Sequence, residues 1–274
     1  MIYLTLMFLL LVGFPVAAVV LWQRRFRSSW TIVLFALVAF AVNFLLQELA
    51  SPIYNPISEA IIPLISPPYQ MAFFLPWIAI YFVGGLIREG VHWLTIRYGA
   101  TSVRSWRDGM MFGIVYGSIV MVLMLGRDVY KSLEFTGLFT PTLEFLVAGG
   151  QKPSFNEIME TLKNDYHWTR SLLLFLSWGM SSMIFNIGTC LIVVFSVQKK
   201  SVIYFLAAVV MYVAYTNARS VVMHSDLVNI QVDWMIQPFT TAFVVELGVF
   251  VFALPCLLAI FLLRKPMSVQ VAFE

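Results

Sequence analysis

A glutamate and a histidine stand three residues apart in an apolar stretch, at Glu89 and His92, and Arg88 directly precedes them. Residues three apart share one face of an α-helix, and a Glu-x-x-His pair on a helix can give a metal ion two of its ligands. Because a metal site needs three or four ligands, this pair is a candidate for metal-assisted hydrolysis but does not establish it. The competing interpretation is an interfacial cluster of charges that anchors one end of a membrane helix.

The composition indicates what kind of element carries these residues. Of the 274 residues, 61% are hydrophobic and 11% are charged, whereas a soluble domain has about 45–50% apolar and about 25% charged residues. This excludes a soluble enzyme, a disordered chain and a secreted disulfide scaffold. Cys190 and Cys256 both lie in apolar runs and are expected to be free, packed thiols.

Seven apolar runs are each long enough to cross a bilayer, which takes about 20 residues of helix. The sequence therefore predicts an all-α fold, a polytopic membrane helix bundle of seven transmembrane helices that forms a single domain over residues 1–274. The predicted spans are approximately 2–22, 30–49, 70–88, 109–126, 171–197, 201–223 and 239–263.

The basic residues are distributed unevenly over the predicted loops. Five of the 17 lie in the long loops on one side, and ten lie on the other side, at Arg24, Arg25, Arg27, Arg97, Arg104, Arg107, Lys199, Lys200, Arg264 and Lys265. The positive-inside rule then predicts an outer N-terminus and a cytoplasmic C-terminus. It also accounts for the net charge of +3 without a nucleic-acid partner. His167 and His224 fall on the outer side and cannot join Glu89 and His92 in one site.

The outer side is predicted to hold most of the chain outside the membrane. The long outer loop 127–170 contains an apolar stretch near 138–148 that is too short to span and is expected to form a re-entrant or interfacial helix. The loop 50–69 is rich in proline, so we expect it to be rigid or irregular.

Three glycines in the fourth span, Gly109, Gly113 and Gly117, recur at a spacing of four. Small residues at that spacing lie on one helical face and allow close approach of a second helix. We expect packing within the chain, with a dimer contact as the alternative, and in both cases a central position for this helix.

Charged residues inside spans are costly and need partners. Arg219 and Glu246 lie towards the outer ends of the sixth and seventh spans, which a short loop joins, so we expect them to form an ion pair. The alternative is that both side chains extend separately to the interface.

The third and fourth spans also carry a family resemblance. Arg88-Glu89-Gly-Val-His92 and the loop Arg104-Ser-Trp-Arg-Asp-Gly109, followed by the glycine-rich helix, resemble the YhfC family of intramembrane metalloproteases, which is related to the CAAX-type membrane proteases. The resemblance covers roughly residues 80–220. It implies a CAAX-protease-like core in a prokaryotic plasma membrane.

The family's motif residues are mostly replaced. A glutamate pair and an arginine become Arg88, Glu89 and His92. In the next helix a histidine and a glutamate become Tyr116 and Val120, and in a later helix a glutamate and a histidine become Trp178 and Asn186.

Metal-assisted hydrolysis needs ligands and a base. Tyrosine, valine and tryptophan at these positions supply neither, Asn186 is a weak ligand, and Arg88 would repel a cation while it pairs with Glu89. The resemblance thus implies the fold and argues against the reaction.

We therefore expect a divergent, catalytically inactive member of this family, a pseudoenzyme without metal or other cofactor. It would act in the bilayer as a binding or complex subunit for a membrane-protein or peptide partner. One alternative is an active peptidase that holds zinc around Glu89 and His92. Another is a transporter component, although no internal repeat is visible. A retinal receptor is excluded, since the last span contains no lysine.

Overall fold

The computed structural model describes residues 12–61, 74–135, 179–224 and 239–269. These residues form eight α-helices and a π-helical turn, Thr95–Gly99, that follows the third helix. The helices are α1 (Phe14–Phe26), α2 (Trp30–Ile61), α3 (Phe74–Leu94), α4 (Trp106–Phe135), α5 (Met180–Lys199), α6 (Val202–His224), α7 (Phe239–Leu262) and α8 (Arg264–Val269).

Two very short connections reverse the chain. Arg27, after α1, and Lys200, after α5, both adopt the left-handed conformation, with φ of 53° and 51°. The amide of Arg27 donates to the carbonyl of Gln23 at 2.7 Å, which satisfies one of the unpaired carbonyls at the end of α1. Basic side chains at both helix ends also suit the negative end of the helix dipole.

Helix α2 continues through two prolines to Ile61, so the expectation of an irregular segment from residue 50 is wrong for residues 50–61. Pro52 has no amide hydrogen to offer to the carbonyl of Glu48, four residues before it. The hydroxyl of Ser51 donates to that carbonyl at 2.8 Å instead. A neighbouring hydroxyl thus satisfies the freed carbonyl, which is how transmembrane helices tolerate proline.

Helix α4 also runs past its predicted span, to Phe135. Residues 127–135, assigned to the outer loop on their lower apolarity, are therefore helical. The length of an apolar run reflects the thickness of the hydrocarbon core of the bilayer, and a helix can extend beyond it. Residues 127–135 contain no glycine or proline that would end the helix. The rest of the predicted outer loop, with its stretch 138–148, lies outside the described residues.

The core of the bundle is the contact between α4 and α5. Gly113 lies so close to α5 that an added Cβ would be 2.7 Å from the Cα of Ile187. Helix α7 comes equally close at Gly188, where an added Cβ would be 2.7 Å from the Cα of Cys256. The glycines thus allow contact at backbone level on two sides of α5, and side chains from Ser181 to Ser196 are almost all buried.

One end of the bundle is held together by tryptophan hydrogen bonds. The indole of Trp22 in α1 donates to the carbonyl of Arg107 at 3.2 Å, and that of Trp106 donates to the carbonyl of Ile260 in α7 at 2.9 Å. The C-terminal ends of α1 and α7 therefore meet the N-terminal end of α4.

Arg104 brings two more helix ends to the same place. Its guanidinium donates to the carbonyls of Ile96 at 2.8 Å and Val103 at 3.0 Å, beside the end of the π-helical turn. The side chain of Gln198, near the end of α5, donates to the carbonyl of Arg104. This end of the bundle thus contains the junctions that hold most of the basic residues.

Three described helical segments are long and apolar enough to cross a membrane, at Trp30–Pro52, Trp106–Leu123 and Met180–Lys199. Val202–Asn217 and Ala253–Leu262 are shorter apolar segments. The all-helical fold is confirmed over the described residues, while the full set of seven spans stays a prediction.

Candidate functional site

Six polar side chains from four helices meet inside the bundle. This buried polar cluster is formed by Asn43 of α2, Arg88, Glu89 and His92 of α3, Tyr116 of α4, and Asn186 of α5. None of the six residues is more than 7% exposed. Because ionisable groups within apolar helices are costly unless they are paired, their shared location marks the candidate site.

Arg88 lies at the centre of the cluster. Its Nε is 3.6 Å from Oε1 of Glu89, and its guanidinium donates a hydrogen bond to the side-chain oxygen of Asn186. Its Cζ lies 5.5 Å from the ring centroid of Tyr116, 5.1 Å from that of Phe185 and 4.9 Å from that of Tyr212. One carboxylate, one amide and three aromatic rings therefore surround the buried cation.

Glu89 and His92 contact each other as their spacing requires. Oε2 of Glu89 is 3.1 Å from Nδ1 of His92. Both residues are 0% exposed, which argues against a cluster of charges that extends to the membrane interface. Helix α3 continues to Leu94 and on into the π-helical turn, which places both side chains well inside the bundle.

Two buried polar atoms of this pair have no hydrogen-bond partner among the described residues. They are Oε1 of Glu89 and Nε2 of His92. The imidazole packs edge to face on Tyr116, with ring centroids 4.3 Å apart. The thiol sulfur of Cys190 lies 3.9 Å from Nδ1, the ring nitrogen that already faces Glu89.

Two amides complete the cluster. Nδ2 of Asn43 donates to the Tyr116 hydroxyl at 2.9 Å, and Nε2 of Gln47 donates to Oδ1 of Asn43 at 3.2 Å. Nδ2 of Asn186 donates to the carbonyl of Ser182 at 2.6 Å, so both ends of that amide are used.

The donor set does not fit a zinc ion. Within the described residues, no group of three histidine, cysteine, aspartate or glutamate side chains could hold a metal ion. Cys190 faces Nδ1 of His92 rather than its unpaired Nε2, so the thiol and that nitrogen do not converge on a common point. A guanidinium beside Glu89 would also repel a second cation.

The structure brings together five of the seven family-motif positions: Arg88, Glu89, His92, Tyr116 and Asn186. Val120, half-buried, lies one turn further along α4. Trp178 lies outside the described residues, and so do the side chains of Arg219 and Glu246. The helices that carry this last pair, α6 and α7, do pack against each other.

Gly109, Gly113 and Gly117 of α4 face α5. An added Cβ at Gly109 would meet Leu191 at 2.8 Å, and one at Gly117 would meet Asn186 at 3.1 Å. Sequence reasoning assigned no site role to Asn43, Ser182, Phe185 or Cys190. The available signal was weak for all of them: polar or aromatic side chains inside apolar runs, which most often only pack.

The chain is similar to the uncharacterized membrane protein YhfC of Bacillus subtilis (strain 168). The two are 22% identical over 231 residues, which cover 79% of this chain and 84% of that protein. No protein-family model matches the chain, and no solved structure matches it. This similarity and the apolar helices support an integral membrane protein related to YhfC that resides in a lipid bilayer.

Proposed function

We propose that this chain is a catalytically inactive relative of the intramembrane metalloproteases it resembles, and that it acts in the membrane as a binding or complex subunit. The observation that carries the proposal is the position of Arg88. Its guanidinium pairs with Glu89 and binds Asn186, so a fixed cation belonging to the protein neutralises the one carboxylate of the cluster.

The surroundings of Glu89 support the same conclusion. Hydrolysis assisted by a metal requires a base that reaches a water molecule. Glu89 and His92 are 0% exposed, and Tyr116 and Phe112 pack on the imidazole, with ring centroids 4.3 Å and 5.7 Å from it. The carboxylate is thus held by Arg88 and His92 within a packed, aromatic interior.

Two features support a binding role: the apolar surface, and the protease-like core that the resemblance implies. Most of the exposed side chains in residues 30–52 of α2 are large and apolar, among them Leu34, Val38, Val42, Leu45 and Leu49. Such a face suits lipid tails or the apolar helix of a membrane partner equally well. Of these, we favour a membrane-protein or peptide partner, since a protease-like core is built around a site for a membrane-embedded chain.

The proposed location is a prokaryotic plasma membrane, with the N-terminus outside and the C-terminus in the cytoplasm. The grouping of basic junctions at one end of the bundle supports this orientation. A cysteine-accessibility assay with a membrane-impermeant reagent in whole cells would test it. Labelling of a cysteine introduced at Lys200 before cell lysis would contradict the cytoplasmic assignment.

The decisive experiment measures metal and activity together. The full chain is purified in detergent alongside Glu89→Gln, with Glu48→Gln, an exposed glutamate, as the matched control. We expect no stoichiometric zinc in any of the three and no cleavage of membrane-spanning peptides. We also expect a defined membrane protein to copurify in a fixed ratio after mild solubilisation. Absence of any such stoichiometric partner would contradict the complex-subunit role.

A second candidate is an active peptidase built on Glu89 and His92. The observation that favours it is that two buried atoms, Oε1 of Glu89 and Nε2 of His92, have no hydrogen bond within the described residues. This candidate requires zinc that is lost in His92→Ala, and activity that disappears in Glu89→Gln but not in Glu48→Gln. Such results would replace the inactive assignment.

A further inference from the structure

The end of the bundle at which α1 and α7 finish and α4 begins carries a concentrated positive charge. We call it the basic end; its described segments are residues 21–30, 95–108, 197–203 and 258–265. Its exposed basic side chains are Arg24, Arg25, Arg27, Arg97, Arg107, Lys199, Lys200, Arg264 and Lys265.

The four described segments of the basic end contain little negative charge. Asp108 is the one acidic residue in the four described segments of the basic end. Its carboxylate is half-buried and accepts a hydrogen bond from the hydroxyl of Ser105 at 2.5 Å, inside the first turn of α4. The basic end is therefore an electropositive surface suited to an anionic partner.

Two of these arginines flank a compact aromatic group. Trp22 packs on Phe26 at 4.2 Å and on Trp106 at 5.6 Å between ring centroids. Cζ of Arg107 lies 5.8 Å from the Phe26 ring, and Cζ of Arg264 lies 5.5 Å from the Trp106 ring. The aromatic faces thereby help to hold the two guanidinium groups in place, while both arginine side chains stay exposed.

Exposed apolar side chains lie on α1 and α7, within three residues of Trp22 or Arg264 in the sequence. Leu21 precedes Trp22 and is 64% exposed, and Phe261 and Leu262 precede Arg264 and are 66% and 64% exposed. This end of the bundle thus combines guanidinium groups, half-buried indoles and exposed apolar side chains. These three kinds of side chain suit the phosphate, the glycerol region and the acyl chains of a phospholipid.

We propose that the basic end contains a binding site for an anionic phospholipid. The phosphate lies between Arg107 and Arg264, the glycerol region contacts Trp22 and Trp106, and the acyl chains lie on the exposed apolar side chains of α1 and α7. A nucleic acid or an acidic soluble protein would match the arginines, but neither would match Phe261 and Leu262. This inference does not depend on the proposed function, because it uses none of the buried polar cluster.

The test is lipid binding to the full chain in detergent, followed by native mass spectrometry with palmitoyl-oleoyl phosphatidylglycerol or the matching phosphatidylcholine. We expect clear preference for phosphatidylglycerol. The double variant Arg107→Gln/Arg264→Gln should lose about 25-fold in affinity, since one basic residue near an anionic headgroup contributes roughly five-fold. All four side chains to be changed, including those of the control, are exposed, and an unchanged elution volume on gel filtration confirms folding.

The control variant, Lys199→Gln/Lys200→Gln, removes the same charge from the basic end but away from the aromatic group. It should keep the affinity of the parent protein within about two-fold. Equal losses in the two double variants would overturn the site in favour of diffuse surface charge. No preference over phosphatidylcholine would overturn anionic recognition itself. Glycerol phosphate without acyl chains should not compete; equal binding of it would identify a soluble phosphate as the ligand and overturn the lipid assignment.

Discussion

The guanidinium of Arg88 donates a hydrogen bond to the side-chain oxygen of Asn186, which lies 98 residues further along the chain. This bond joins α3 to α5 in the centre of the bundle. The same guanidinium lies beside Glu89, the one carboxylate of the cluster. We therefore interpret the cluster as a network that stabilises the fold.

Removal of that cation should be strongly destabilising. Arg88→Met leaves Glu89 buried and charged without a cation, and we expect a loss of about 3–5 kcal/mol in the free energy of unfolding. Arg97→Met removes an exposed arginine just after the same helix and should cost less than about 1 kcal/mol. Thermal unfolding in detergent measures both.

The double variant Arg88→Met/Glu89→Gln checks the reason for that loss. Because it removes the unpaired charge as well, it should recover a substantial part of the stability. Two independent, additive losses would show that the pair is not coupled and would contradict the network.

The hydroxyl oxygen of Tyr116 should contribute to the stability of the folded protein. Tyr116→Phe takes away the acceptor of Asn43 and leaves a buried amide donor unpaired, which costs about 1–3 kcal/mol. Tyr98→Phe, at an exposed tyrosine, should leave the melting temperature unchanged. If Tyr116→Phe had the melting temperature of the parent protein, the hydrogen bond would not stabilise the fold.

Gly113 and Gly90 offer a matched pair of substitutions. An added Cβ at Gly113 would lie 2.7 Å from the Cα of Ile187, so Gly113→Ala must push α4 and α5 apart and should cost about 1–3 kcal/mol. At Gly90 nothing lies within 4 Å, and Gly90→Ala should stabilise α3 by up to about 1 kcal/mol. Effects of the same sign in detergent unfolding would argue against the close approach of the two helices.

Arg104 should hold the junction between α3 and α4. Arg104→Met removes the donors to the carbonyls of Ile96 and Val103, and such charged hydrogen bonds contribute about 1.5–3 kcal/mol. Hydrogen exchange should rise in residues 95–103 and stay constant in the centre of α5. An equal rise in exchange in both regions would contradict a local role of Arg104 at this junction.

The sequence predicts the fold class well because apolarity acts over whole helices. Runs of apolar residues located the helices, and the spacing of Glu89 and His92 put both on one face of α3. Helix ends were harder to predict. Helix α2 continues through Pro52 because the Ser51 hydroxyl donates to the carbonyl of Glu48 in place of the missing amide hydrogen. Helix propensities of single residues do not include such a hydrogen bond.

The assembly of the site could not be read from the sequence. Arg88 and Asn186 belong to different helices, and only the register of α3 against α5 brings them together. Asn43 lies within an apolar run of α2, and nothing in that run indicates its hydrogen bond to Tyr116 of α4. Long-range register depends on packing of many apolar side chains, so a pattern within one helix does not reveal it.

Helix α5 has main-chain neighbours on two sides, α4 at Gly113 and α7 at Gly188. Backbone atoms have no rotamers through which to yield, so α5 can neither slide nor turn on its axis without separating one of these helices. Ile187, which Gly113 contacts, directly follows Asn186. Residues that have no side chain at all therefore fix the place of Asn186, the amide that the buried guanidinium binds.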